Sequence, residues 1–469
     1  MPFDADYRPS RQHAELGPAL FDEVRPADFP AAILRFRNRR WAERVGLAGL
    51  TDDEWLRFLG RLEPLPGSFE APLALRYHGH QFRSYNPDLG DGRGFLHAQL
   101  REVGKDGDGR LLDLGTKGSG RTPWSRGGDG RLTLKGGVRE VLATELLEAL
   151  GVYTSKSFSL VETGEQLQRG DEPTPTRSAV LVRLSHGHVR VGTFQRLAYL
   201  GDGENLLRLL DYSVRTYQPA AWRDDAGERA VAFLEAVTGD VARMGAQWMA
   251  AGFVHGVLNT DNINITGESF DYGPWRFLPH YDPGFTAAYF DSSGLYSYGR
   301  QPDTLLWNLT RLAECLLPFA TKEQLGPVLA GFAPAFHTAI DAGVLRRLGL
   351  GSLGPEEDHA TAQAWWEFLA ETRVPFEQAF FDWHGGRPSD RLPRSPTDYG
   401  SAFDPARTAL ARHPQAARAD HPYFAGTPCT LLIDEVEALW APIAESDDWS
   451  AFDAKLRHIA RAREAYGIS

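Results

Sequence analysis

Between residues 255 and 273 the chain reads HGVLNTDNINITGESFDYG, and two of its side chains, Asn262 and Asp271, are spaced for metal chemistry. An Asn that closes a loop, followed across the apolar run INI by an Asp at the end of a return strand, can put two hard oxygen ligands on one side of a hairpin. Mg²⁺ takes such oxygens together with nucleotide phosphates. Asp261 adds a carboxylate that could accept a proton at the same place. Asn, Asp and Gly also build ordinary turns, so NTDN and TGES by themselves leave a turn and a metal site both open.

The same stretch departs from the pattern of a phosphoryl-transferring kinase. In kinases an Asp two residues after the loop His takes the proton from the hydroxyl acceptor, an Asn follows, and a strand pair delivers the Asp of a DFG-like triplet. Here the position two residues after His255 is Val257. The metal end is present and the usual base is missing, which leaves Asp261 as the candidate base.

Upstream, Lys117 ends the run RLLDLGTK, where a strand-borne lysine can reach nucleotide phosphates if a carboxylate holds it. Glu140 and Glu145 in VREVLATELLEALG are the candidates. Helical spacing puts Glu145 on the apolar stripe of Val138, Val141, Leu142, Leu146, Ala149 and Leu150, whereas Glu140 points roughly opposite to Val138. Periodicity favours Glu145 without excluding Glu140. Arg121, Arg126 and Arg131 lie in the Gly-rich SGRTPWSRGGDGR, and Arg183 and Arg190 flank LSHGHV. Glycine lets backbone N–H groups approach an anion, and Arg offers a planar fork for phosphate oxygens. GDGR occurs at 90–93 and again at 128–131, which favours an anion pocket over a solvated loop. A snorkelling strand-end lysine is the plainer alternative for Lys117.

The elements expected to position these groups follow from local pattern. GDGRGFLHAQLREV, the turn GKDGDG and RLLDLGTKGSG read as a Gly-rich turn and a two-strand hairpin. A helix from 138 ends at Gly151. SAVLVRL at 178–184 reads as a strand, HGHVRVGTF as a turn and a further strand, and helices are expected over about 204–217 and 227–251. DTLLWNLTRLAECLLP is an amphipathic helix, more helices run to about 385, and residues 386–425 read as a long Pro/Ser/Arg-rich loop or arm. This is the element order of an α+β, two-lobed protein-kinase-like fold. The expected division is 1–75 as an N-terminal extension, 76–200 as the N-lobe, 201–320 as the C-lobe with the metal-binding loop, and 321–469 as a mostly helical C-terminal extension with the arm.

Bulk properties narrow the partners. A chain of 469 residues, 42% hydrophobic and 24% charged, is long and apolar enough for more than one core. The net charge of −12 argues against nonspecific nucleic-acid binding, since a polyphosphate backbone is held by accumulated Lys and Arg. Cys315 and Cys429 cannot make a disulfide framework. No uninterrupted apolar stretch approaches the roughly 18 residues of a membrane span, and MPFDADYRPS has no signal-like apolar region. A cytoplasmic monomer without nucleic-acid or membrane partners is the expectation.

Taken together, YHGHQFRSYNPDLGDGRG, DLGTKGSGRTPWSRGGDGR, GGVREVLATE, LVRLSHGHVRVGTF, HGVLNTDN and FDYGP resemble the selenoprotein O family, kinase-fold proteins first classed as pseudokinases. The resemblance runs from about residue 10 to about 320. It implies ATP bound with reversed orientation, so that AMP passes to Ser, Thr or Tyr hydroxyls of protein substrates, some of them redox-related, and pyrophosphate leaves. Carried over by motif, Gly90, Gly92 and Arg93 would contact ATP, as would Asp129 and Gly130. Lys117 would hold phosphate and Glu140 would pair with it, against the periodicity argument. Arg183 and Arg190 would clamp phosphates, Asp261 would accept the proton, and Asn262 and Asp271 would hold Mg²⁺ or Mn²⁺. Many relatives carry a Cys or selenocysteine near the C-terminus, whereas no Cys lies among residues 430–469 here, so thiol-based redox control is not expected. An ATP-dependent kinase using Asp261 as base and a silent nucleotide-binding scaffold are the alternative functions. Val257 speaks against the first, and the retained Lys117, Asn262 and Asp271 against the second.

Overall fold

The computed structural model describes residues 3–103, 109–170, 172–387, 399–415 and 420–468. Most of the GKDGDG turn and part of the 386–425 arm lie outside them. The fold mixes α and β structure, with one large antiparallel sheet and many helices.

The described strands are β1 (Pro9–Ser10), β2 (Phe21–Glu23), β3 (Ile33–Arg37), β4 (Leu73–Leu75), β5 (Gly79–Gln81), β6 (Ser84–Asn86), β7 (Leu96–Arg101), β8 (Leu111–Lys117), β9 (Leu132–Thr133), β10 (Lys156–Leu167), β11 (Thr176–Ser185), β12 (Phe253–Val254) and β13 (Arg276–Phe277). The large sheet runs β2-β4-β7-β8-β11-β10-β3, with β1 added on β7 and β9 on β11. The expected β7–β8 hairpin is present, pairing Arg101 with Leu111 and Leu96 with Gly115. Four strands of this sheet come from residues 1–75, a segment read from sequence as short helices and turns.

Strand alternation decides which side chains meet. Leu112, Leu114, Val180, Val182 and Leu184 face a core built with Trp41, Trp55, Phe58 and Leu59 of the N-terminal segment. The alternate residues Ala179 and Leu181 face the other core, against helix α3 (Leu134–Ala149). Lys117 and Arg183 share that second parity. β8 and β11 pair Lys117 with Leu181 and Arg183 with Gly115, so the two cations emerge side by side under α3.

α3 starts four residues before the predicted 138, because Thr133 caps it by accepting the Gly136 N–H at 3.1 Å. Gly136 and Gly137 both lie inside the helix. Gly137 lets the helix close onto Leu160 of β10, where any Cβ would clash. The helix ends as expected before Gly151, at φ +79°. The further strand expected from HGHVRVGTF is helix α4 (Val191–Tyr199): Val191, Phe194 and Leu197 recur every third residue and are all fully buried.

Helices α5 (Gly203–Tyr217) and α6 (Ala226–Ala250) match their expected spans, and α7 (Gln301–Cys315) is the amphipathic helix after them. There follow α8 (Lys322–Ala330), α9 (Phe332–Arg347), α10 (Pro355–Thr372) and α11 (Phe376–Asp382). Within the supposed arm, α12 (Asp404–Leu410) buries Ala406 and Leu410 beside Trp365 and Phe403, so that part is packed structure rather than loop. α13 (Ile433–Ser446) and α14 (Ser450–Ala465) complete the chain. By length and composition the stretch Lys322–Arg347 would pass for a membrane span, although its apolar residues do not form an uninterrupted run. Its Phe332 joins the main core, and its Ile340 packs with Ala246 and Ala250 of α6.

α14 returns to α3. Arg463 forms an ion pair with Glu145, lies 3.5 Å from Glu148, and is nearly buried. Glu145 also accepts from Asn38 Nδ2 at 3.0 Å. Glu145 is therefore a structural carboxylate, remote from Lys117. Replacing Arg463 with Ala would leave two buried carboxylates short of a cation. The variant is expected to lose about 3 kcal/mol of stability, read as a lower denaturant midpoint.

Candidate active site

Lys117 Nζ forms an ion pair with Glu140, whose side chain is buried, and donates to Asp271 Oδ1 at 2.9 Å. Arg183 Nη1 reaches the same Asp271 oxygen at 3.1 Å and lies 4.0 Å from Glu140 Oε2. Two cations thus converge on two carboxylates. Burial alone would raise the Asp271 pKa, but Lys117, Arg183 and Arg93 together hold it well below the usual carboxylate range. Its side chain keeps 30% exposure toward a cavity of about 510 Å³, so the anion is both stabilised and reachable.

Asp271 arrives there by an unexpected route. No regular strand pair lies between Asn262 and Asp271. The INI segment makes only a single bridge from Asn264 to Arg190, and Ser269 a second to Thr154. The turn is held by side chains: Asn264 Nδ2 donates to the Gly187 carbonyl at 2.6 Å, and His255 Nε2 donates to the Phe270 carbonyl at 2.9 Å. Asp271 itself sits at φ +62°, a left-handed conformation that Asp tolerates better than most residues.

Asn262 Nδ2 donates to the Val257 carbonyl at 3.0 Å, which leaves its amide oxygen free to accept a hydrogen bond or to ligate a metal. Val257, Asn262 and Asp261 all line the cavity. Asp261 Oδ1 is buried without a hydrogen-bond partner, and burial pushes its carboxyl up to about 6 against the pull of Arg190. Gly79 leaves the room: a Cβ there would come within 2.8 Å of that oxygen. Among the described residues no group of three His, Cys, Asp or Glu forms a metal cluster. The Asn262 oxygen and the ionised Asp271, both on the cavity wall, are hard-oxygen groups that could hold Mg²⁺ or Mn²⁺ together with phosphates, with the unpartnered Asp261 oxygen beside them.

Arg190 is buried, donates from Nη1 to the Asp261 carbonyl at 3.0 Å, and approaches Asp91 at 3.6 Å. Its guanidinium lies 4.2 Å over the Tyr77 ring. Nε of Arg183 and Nε of Arg190, two residues that line the cavity, are further buried polar atoms without hydrogen-bond partners. Such orphans gathered at one cavity mark a place where something else supplies the missing contacts. Arg93 and Arg126 line the same cavity, are exposed, and make no ion pair among the described residues, so their charge is free for an anion.

Not every anticipated group is free. Gly90, Gly92, Asp129 and Gly130 do line the cavity, yet Gly90 is also demanded by the Trp124 ring packed on it. Asp129 is clasped by Arg169 at 2.7 Å, and Arg131 is held by Glu165 at 2.7 Å. Arg121 lines an adjacent cavity with Arg131. Tyr77, Gly79, Asp91 and Arg169 were not singled out from sequence. The only signal for the first three was membership of the long motif ending in the first GDGR, and Arg169 lies outside the motifs altogether.

Glu268, read from sequence as a turn residue, is buried and accepts the His186 N–H at 2.8 Å. Burial raises its carboxyl to about 7 despite Lys156 and Arg110. Because the folded value exceeds the unfolded one, stability is full below about pH 4.5 and falls as pH rises toward 7. Glu268→Gln keeps the acceptor oxygen and removes the loss. It is expected to gain roughly 1–3 kcal/mol over the parent at pH 8 and little at pH 4.5, measured by denaturant unfolding at both.

Comparison with known proteins places the chain among sequences of named activity. A family model described as "Protein adenylyltransferase SelO" matches residues 3–389. "Protein nucleotidyltransferase YdiU" of Synechocystis sp. is 43% identical over 469 residues, covering 95% of this chain and 96% of its own. The protein of the same name from Gloeobacter violaceus is 43% identical over 99% of this chain and 96% of its own. That from Methylorubrum extorquens is 37% identical over 99% and 94%.

Proposed function

We propose, starting from the fact that the chain belongs to the protein adenylyltransferase SelO family and is a nucleotide-transferring enzyme, that it moves AMP from ATP to Ser, Thr or Tyr hydroxyls of proteins. In this reading the nucleotide lies reversed in a kinase-like site, with residues 76–200 as the smaller lobe and 201–320 as the larger. Val257 occupies the position of the usual kinase base, while Asp261 offers a buried carboxylate oxygen without a partner. That pairing of a missing base with a displaced one is the observation that carries the proposal.

The residues divide the work. Arg93 and Arg126, uncommitted cations on the cavity wall, receive the β- and γ-phosphates, and Lys117 and Arg183 add charge from the floor. Glu140 holds Lys117 in place. Asp261 takes the proton from the acceptor hydroxyl as its oxygen bonds the α-phosphorus. The bond from that phosphorus to the bridging oxygen breaks, and pyrophosphate carries away the electron pair. A Mg²⁺ or Mn²⁺ held by Asn262 and Asp271 would neutralise charge on the phosphates. Arg190, braced by Asp91 and Tyr77, fixes the Asp261 backbone. We place this activity in the cytoplasm, in a monomer, with redox-related proteins among its targets.

The purified protein, given Mg²⁺ and ATP labelled at either the α- or the γ-phosphate, is expected to attach only the α label to protein, with an adenylyl mass shift. Transfer of the γ label alone would mean ordinary kinase chemistry instead.

A further inference from the structure

Beyond Tyr77 and Gly79, which serve the nucleotide site, the motif YHGHQFRSYN forms the β5–β6 hairpin, whose tip that site does not use. β5 pairs with β6 through Gly79 with Asn86 and Gln81 with Ser84, so Phe82 and Arg83 are its two-residue turn. Both are left-handed, at φ +49° and +64°, positions where hairpins normally place Asn or Gly. A bulky ring held there is displayed against its backbone preference. The Phe82 N–H donates to Asn259 Oδ1 at 3.1 Å and to Tyr296 Oη at 3.1 Å, and the Tyr296 hydroxyl donates to the same Asn259 oxygen at 2.7 Å. The turn is therefore bolted to the loop that carries Asp261.

Phe82 does not stand alone. Phe290 meets it edge-on at 5.9 Å, and Tyr289 packs on Phe290 at 5.1 Å. These three rings are 36%, 49% and 88% exposed, a concentration of aromatic surface on a protein whose other large rings are mostly buried. The patch is continuous with the site, because the hairpin that walls Asp261 Oδ1 at Gly79 reaches Phe82 three residues later. At strand rise that is about 10 Å, the span of about three residues of an extended peptide.

We propose that Phe82, Tyr289 and Phe290 form the subsite for an apolar side chain of the polypeptide substrate, located within about three residues of the acceptor hydroxyl. The inference rests on the protein-adenylylation reading and adds to it a sequence preference. A polypeptide whose hydroxyl is seated at Asp261 must run past the hairpin, and an apolar side chain there covers rings that water otherwise meets.

The test uses the full chain with ATP and Mg²⁺ and two fluorescent peptides, each with a single Ser, one flanked at two and three residues by Phe and Leu, the other by Gly. The expected result is an affinity about tenfold higher for the apolar-flanked peptide. Tyr289→Ser/Phe290→Ser, and separately Phe82→Asn, which keeps a residue at ease in the left-handed turn, should reduce the preference to less than about twofold while ATP affinity changes by less than about twofold. Equal binding of both peptides by the parent protein overturns the subsite. So does a variant that loses ATP affinity instead, which would assign the rings to the nucleobase. A parent dimer in light scattering that the variants dissociate would assign them to a second copy of the chain, and also overturns it. If the parent prefers the apolar peptide yet moves no α label, the transfer reading fails and the docking subsite stands.

Discussion

Asp261→Asn is expected to lower AMP transfer by roughly 10²–10⁴-fold, with ATP affinity almost unchanged. The amide matches the carboxylate in shape, so the Gly79 gap and the Arg190 contact to the Asp261 carbonyl are kept. What disappears is the ability of Oδ1 to accept a proton. The parent rate should rise with pH through the region where this carboxyl ionises, because the protonated form below about 6 cannot serve as base. The variant should lack that acid limb. Steady-state rates across pH 5–9 with α-labelled ATP provide the check. A fall of less than about tenfold would place the base elsewhere.

The site was legible in part, for physical reasons that differ residue by residue. Lys117 could be placed because β8 is an apolar run between Gly/Asp clusters, a strand signal that needs no tertiary context. The partner of Lys117 could not be chosen from periodicity. α3 is enclosed by the sheet on one side and α13 and α14 on others, so 12 of its 16 residues are buried and no single stripe identifies the inward face. Glu140 and Glu145 are both covered, one by Lys117 and the other by Arg463 from more than three hundred residues away. The INI segment misled for another reason. Ile263 and Ile265 are fully buried on either side of Asn264, which imitates strand alternation, but Asn264 spends its side chain on the Gly187 carbonyl and the ladder stops at one bridge. In the Arg190 segment, β-branched Val189 and Val191 outweighed the three-residue spacing of α4.

Asp271→Ala should cost about 10³-fold or more in transfer, since it removes the cavity-lining carboxylate that Lys117 and Arg183 both contact. Alanine is strained at φ +62°, so Asp271→Asn serves as the companion that keeps the left-handed turn and loses only the charge. Binding separates the metal role from a structural one. With the carboxylate gone, Lys117 and Arg183 face the cavity with one anion fewer, so ATP without divalent ion should bind both variants more tightly, by about 3–10-fold. The gain in ATP affinity that Mg²⁺ or Mn²⁺ confers on the parent should vanish in both, and Mn²⁺ resonance spectra with ATP should show no protein-held ion. Full activity in Asp271→Asn, or an undiminished metal-dependent gain, would remove Asp271 from the ligand set and leave it as the anion that restrains Lys117 and Arg183 until the nucleotide's phosphates take its place.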